Sequence, residues 1–131
     1  MFCIKYFMLF VACLFCTSCS LPSANNIVVE RDDFAEVVKA KIGDAVIVYL
    51  KSNLSTGYKW DLKDDVREVV LESRNFENSQ NEGHLKLCGK PILEKFVFRC
   101  VNRGQCSIYF EYKRNWENNA VEKYCLKIKV E

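Results

Sequence analysis

Most of the chain is written in short runs of β-branched and aromatic residues broken by turn-forming clusters. Ala45–Leu50, Phe96–Cys100, Ser107–Tyr112 and Tyr124–Val130 are the strongest of these runs, and the last alternates apolar and polar positions strictly. Period-two alternation puts one face of a strand on a core and the other in solvent, so each run predicts a half-buried strand. Weaker strand signals fall at Ile27–Val29, Val37–Ala40, Tyr58–Leu62 and Val69–Phe76, punctuated by Gly43-Asp44, Lys63-Asp64-Asp65 and Asn102-Arg103-Gly104. Asp33–Lys39 has room for one turn of helix, but no long amphipathic helix competes. About seven short strands in roughly a hundred residues predict an all-β fold, a two-sheet antiparallel sandwich of immunoglobulin type.

Strand parity then places the connections. If successive strands from Ala45 onward alternate in direction, residues 51–57, 77–95 and 113–121 all emerge at one end of the sandwich. Tight connections near Asp64 and Asn102 occupy the other end. Long connections gathered at one end of a rigid scaffold are where binding surfaces are usually built.

The first 19 residues are different: 16 of them are apolar. Lys5, an apolar stretch over Tyr6–Phe15 and small residues at Thr17, Ser18 and Ser20 read as a signal peptide over residues 1–19, ahead of one domain over 20–131. The stretch is shorter than the ~20 residues that a bilayer-spanning helix needs. Cys16-Thr17-Ser18-Cys19 also resembles a lipobox, which leaves two routes open: lipidation and membrane tethering through Cys19, or plain cleavage near Ser18 or Ser20. Either way the domain is expected to be exported, as a secreted or periplasmic protein or a cell-envelope lipoprotein, and to be a monomer.

Composition removes several classes of function. The 131 residues carry 19 Lys and Arg against 17 Asp and Glu, a net charge of +2 with signs interspersed, which argues against a nucleic-acid partner. The single histidine, His84, directly follows the polar stretch Asn78–Gly83 with nothing nearby to make it a base, and no phosphate-binding glycine loop is present. No enzyme activity, cofactor or metal is therefore expected. Of eight cysteines, Cys88, Cys100, Cys106 and Cys125 belong to the domain, and their spacing contains no CxxC pair of the kind that zinc sites use. In an oxidising compartment they allow two disulfides in three connectivities, the first choice being a Cys100–Cys106 bridge across a hairpin turning at Asn102-Arg103-Gly104. The alternative is four buried thiols.

Three segments at the loop end carry a resemblance. Asn53-Leu54-Ser55-Thr56-Gly57-Tyr58, followed by Lys59-Trp60, resembles the Asn-Pro-Thr-Thr-Gly-Tyr/Phe loop of the chagasin-like inhibitors of papain-family cysteine peptidases. Gly89-Lys90-Pro91-Ile92, followed by Glu94-Lys95-Phe96, is similar to that family's second loop, and Tyr112-Lys113-Arg114-Asn115-Trp116-Glu117 to its Tyr-x-Arg-Pro-Trp segment. The resemblance implies a reversible, non-covalent inhibitor with three loops wedged into a peptidase cleft. Thr56 would lie nearest the catalytic thiolate with Ser55 beside it, Trp116 and Arg114 would form the third contact, and Gly89 and Pro91 would shape the second. Gly57 is expected to serve a close backbone approach or a positive φ. Trp60 alternates with Tyr58 and is expected in the core.

Leu54 and Asn115 replace prolines of the family pattern, which is expected to loosen the loops, and Ile92 replaces a glycine, which is expected to forbid the usual backbone turn. Asn53-Leu54-Ser55 is also an N-glycosylation sequon at the proposed tip. The alternative reading is an exported immunoglobulin-like adhesion or scaffold module that keeps the loop shape without inhibiting.

Overall fold

A computed structural model describes residues 23–30, 36–63, 65–78 and 92–131. Among them are eight strands: β1 (Asn26–Val29), β2 (Val37–Ala40), β3 (Ala45–Ser52), β4 (Tyr58–Leu62), β5 (Val69–Asn78), β6 (Ile92–Cys100), β7 (Gly104–Arg114) and β8 (Glu122–Val130). A 3-10 turn over Leu54–Thr56 joins β3 to β4. The leader, Cys19 and the second loop through Pro91 lie outside the described residues.

The strands form two four-stranded sheets, ordered β1-β3-β6-β5 and β2-β8-β7-β4. This is the expected immunoglobulin-like sandwich, with two differences. There are eight strands where about seven are expected, and β1 pairs with β3, and β2 with β8, in parallel, so the two sheets are not wholly antiparallel. Val37–Ala40 is strand; residues 33–35, the first part of the stretch with room for a turn of helix, lie outside the described residues.

Alternation builds the core. Along β6, Glu94, Phe96, Phe98 and Cys100 point inward, and along β8 Leu126, Ile128 and Val130 do so. Phe110 of β7 meets Phe96 and Phe98 edge-on, with ring centroids 5.3 and 6.1 Å apart, so the aromatic contact crosses between the sheets.

The connection at Asn102 corrects one expectation. β6 and β7 lie in different sheets, so residues 101–103 cross the sandwich and do not turn a hairpin. Cys100 and Cys106 face the same core from opposite sheets as free thiols, and Cys125 is free as well; Cys88 lies outside the described residues. The expected Cys100–Cys106 bridge and the pairing of Cys125 are therefore not present. Burial pushes the Cys106 thiol up to about 11 and raises Cys100 in the same direction. A thiol held protonated in this way is a small apolar core residue, not a nucleophile.

Register fixes which connections share an end. Ile92 at the start of β6 lies opposite both Ser52, the end of β3, and Asn78, the end of β5. In the other sheet Tyr58 lies opposite Arg114, and Tyr112 opposite Glu122. The 53–57 turn, the β5–β6 connection and the β7–β8 connection therefore leave the sandwich at the same end, as parity requires.

Candidate functional site

Loop one is tied down on both sides of its crossover. Asn53 donates its backbone N–H to the Tyr112 hydroxyl at 2.9 Å, and the Ser52 hydroxyl donates to the Tyr58 carbonyl at 3.1 Å. The Trp60 indole N–H donates to the Lys51 carbonyl at 3.0 Å, and Trp60 itself is 2% exposed, in the core as expected. Tyr112 stacks between Tyr58 and Trp60, at 5.2 and 4.8 Å between centroids, giving the turn an aromatic footing.

Between these anchors the chain closes on itself. Thr56 N–H donates to the Asn53 carbonyl at 3.2 Å and Gly57 N–H to the Leu54 carbonyl at 3.1 Å, the i to i+3 pattern of a 3-10 turn. The Thr56 hydroxyl turns back onto the Asn53 carbonyl at 2.8 Å, and the Ser55 hydroxyl onto Asn53 Oδ1 at 2.6 Å. Both tip hydroxyls are thus used within the loop. Gly57 ends the turn at φ +79°, a conformation in which a side chain is strained. A Cβ placed there would also lie 2.8 Å from the Trp116 ring, so the indole packs directly on this glycine.

The third loop is bound to the first by Arg114. Its guanidinium donates through Nε to the Thr56 carbonyl at 3.0 Å and pairs with Glu117 at 3.2 Å. It also covers the Tyr58 ring at 4.4 Å and approaches the Trp116 ring at 5.7 Å. Arginine is suited to this post because its planar fork can hydrogen-bond at its edge while its face stacks on aromatic rings. Trp116 is left 71% exposed, with Asn115 exposed beside it.

Of the sequence-predicted residues, Asn53, Leu54, Ser55, Thr56, Gly57, Tyr58, Arg114, Asn115 and Trp116 are thus gathered at one end. Ile92 is half-buried as the first residue of β6, one register position from loop one. Gly89, Lys90 and Pro91 lie outside the described residues.

Three supporting residues were not singled out from the sequence as site residues. Tyr112 holds Asn53, as above. The other two, Glu94 and Arg74, close the outer edge of β4: Glu94 accepts from Trp60 N–H at 3.3 Å, while Arg74 donates to the Trp60 carbonyl and pairs with Glu94. The Glu94 side chain is fully buried, and burial raises its pKa although the Arg74 charge opposes this. One signal was available: Glu94 shares the parity of Phe96 and Phe98, a charged residue on the core face.

No group of three His, Cys, Asp or Glu side chains among the described residues is placed to hold a metal ion. What the end of the sandwich offers is two loops hydrogen-bonded to each other beside a large exposed aromatic, a surface suited to recognition of another protein.

The comparisons with known proteins agree with that class. The model of the chagasin family of peptidase inhibitors matches residues 39–130, and the chain belongs to that family. The crystal structure of the cysteine protease inhibitor EhICP2 from Entamoeba histolytica is similar at a TM-score of 0.70 and 15% identity, over 85% of this chain and 100% of that one. The solution structure of amebosin is similar at 0.67 and 19%, over 82% and 100%. PbICP-C, solved in complex with falcipain-2, is similar at 0.50 and 16%, over 82% and 91%. At such identities these likenesses speak for the shared fold. No curated protein matches the chain.

Proposed function

We propose that this protein is a reversible, non-covalent inhibitor of papain-like cysteine peptidases, inserting the 53–58 turn into the active-site cleft with the 114–116 loop beside it. The observation that carries this reading is the lock between the two loops: the Thr56 carbonyl on Arg114 and Gly57 under Trp116, in a member of an inhibitor family. A related protein, PbICP-C, is described in complex with falcipain-2, and this chain is proposed to engage a peptidase of that kind.

The geometry explains why such a loop would block without being cut. A scissile peptide has to lie extended across the catalytic cysteine, whereas this tip is curled into a 3-10 turn. Opening it would break two backbone hydrogen bonds and the Arg114 contact, so the enzyme meets a preorganised surface and not a substrate. Trp116 and Arg114 are of the residue types that most often dominate interface energy, at about 2 kcal/mol or more each. The second loop, Gly89-Lys90-Pro91-Ile92, is proposed to supply the remaining contact, and export by the 1–19 leader, with or without lipidation at Cys19, remains part of the proposal.

The test is a titration of papain and related peptidases with the protein lacking residues 1–19. Stoichiometric, reversible loss of activity is expected; no effect at micromolar concentration would favour the adhesion or scaffold module instead.

A further inference from the structure

Charges that alternate in sign along the chain separate across the second sheet. The inward positions of β2, β8, β7 and β4 build the core, and period-two alternation sends the intervening ones to the outer face. Lys39 on β2, Lys123, Lys127 and Lys129 on β8, Lys113 on β7 and Lys59 on β4 are among these. Lys63, just past β4, joins them by reaching Glu111 at 3.0 Å. The same face holds three acids: Asp61, Glu111, and Glu131, which pairs with Lys129 at 3.1 Å. Seven of the chain's 19 basic residues and three of its 17 acids thus share one face, leaving 12 against 14 elsewhere. A chain of net charge +2 has one face at +4 and the remainder at −2.

The central acid is also set beneath cations. The Glu111 side chain is 11% exposed and is ringed by Lys63 at 3.0 Å, Lys123 at 3.3 Å and Lys113 at 3.9 Å, of which Lys63 is 59% and Lys123 66% exposed. Lys39 and Lys127 make no ion pair among the described residues. What this face turns outward is ammonium charge. Tyr109, 46% exposed, stands at its middle opposite Cys125.

Three features say what such a face fits. Its cations spread over all four strands, about 15 Å across and about 20 Å along, an area and not the single stripe that a rod-like polyanion follows. All seven are lysines, flexible point charges without the rigid fork by which arginine matches individual phosphates, so the array responds to charge density and not to a fixed pattern. Tyr109 adds an amphipathic ring of the kind that settles at the level of lipid headgroups. A fluid plane of anionic headgroups suits all three.

We infer that the outer face of the β2-β8-β7-β4 sheet docks on a membrane surface rich in anionic phospholipid. Each lysine near such a surface strengthens binding about fivefold, and salt screens the attraction. The 53–57 turn and the β7–β8 connection leave from the end of the sandwich and not from this face. Docking and peptidase binding are therefore compatible, and the inference stands independently of the inhibitor reading.

The experiment is co-sedimentation of the protein lacking residues 1–19, so that the apolar leader contributes nothing, with vesicles of phosphatidylcholine alone or with about a third phosphatidylglycerol. Binding is expected only to the anionic vesicles, and is expected to vanish between about 0.1 M and about 1 M NaCl. Lys39→Gln combined with Lys127→Gln should weaken it about twenty-five-fold at an unchanged thermal midpoint. Lys51→Gln combined with Arg67→Gln removes the same charge away from the face, from β3 and the β4–β5 connection, and should bind as wild type does. Absence of binding to the anionic vesicles at low salt overturns the inference, as do equal losses in the two double variants, which would make net charge the cause. Retention by soluble heparin without binding to vesicles would assign the face to a polysaccharide and overturn the membrane assignment.

Discussion

Arg114 Nε lies 3.0 Å from the Thr56 carbonyl, a hydrogen bond that spans 58 residues of sequence and joins two loops of the sandwich. This chain has Leu54 and Asn115 where the family pattern has prolines, but it keeps the pattern's arginine, whose guanidinium cross-links the two loops. Replacing Arg114 by Lys keeps the charge but loses the fork and the flat face that covers Tyr58. Arg114→Lys is expected to weaken inhibition about tenfold, equivalent to ~1.4 kcal/mol. The fold should be nearly unaffected, because the residue is at the rim, and amide exchange over 53–57 should quicken. Unchanged inhibition would show that the loops hold their geometry without it.

Gly57 and Gly43 make a matched pair for separating strain from collision. Both have positive φ, +79° and +94°, but a Cβ on Gly57 would lie 2.8 Å from the Trp116 ring, whereas nothing lies within 4 Å of one on Gly43. Each Ala substitution incurs the left-handed backbone penalty of about 1–2 kcal/mol, lowering the melting temperature by several degrees. Only Gly57→Ala should displace the indole, changing intrinsic fluorescence and weakening inhibition. Gly43→Ala, at the far end of β3, should lose stability alone.

The parts of this molecule legible in its sequence are those that local pattern controls. Leu126, Ile128 and Val130 announce their strand by alternation, and Asn53–Tyr58 and Tyr112–Trp116 announce their loops by motif. The parallel edge strands were harder, since four residues such as Val37–Ala40 pair in register with Lys127–Val130 for reasons that lie in the partner strand. Asn102-Arg103-Gly104 has the composition of a hairpin turn, yet Cys100 and Cys106 each face the core from a different sheet, which local sequence does not reveal. The contact from Arg114 to Thr56 was equally hidden, because it depends on how two distant loops approach.

Acid should act through Asp44. Its carboxylate accepts from Asn25 N–H at 3.0 Å and Lys41 N–H at 2.9 Å, fastening the start of β1 to the β2–β3 turn. These two backbone donors hold its pKa below the usual value of 3.8. A depressed carboxylate contributes stability that is complete above the unfolded-state pKa and is lost as pH falls through the folded-state one, so the contribution fades below about pH 4. Glu94, with its pKa raised by burial, works in the opposite sense. Asp44→Asn, which turns an amide NH2 toward a backbone donor, should be less stable than wild type at pH 7. The gap should narrow as pH drops below 4; a constant gap would mean that the charge is irrelevant.

The Arg74 and Glu94 pair is the last and most severe test, because it joins the core to the site. Trp60 N–H and carbonyl point away from β7 at the outer edge of β4, and the two side chains from the opposite sheet satisfy both. Removing Arg74 leaves a fully buried carboxylate without its counter-charge, a loss of about 3–5 kcal/mol. Arg74→Met should therefore unfold at markedly lower denaturant concentration, whereas Arg74→Met combined with Glu94→Leu should recover much of that loss, since no buried charge remains. The recovered double variant would still lack the hydrogen bonds that tie Trp60, at the middle of β4, to the opposite sheet. It is expected to stay folded while inhibiting less well, separating the pair's contribution to stability from its positioning of loop one. Equal inhibition by wild type and double variant would assign the pair to stability alone.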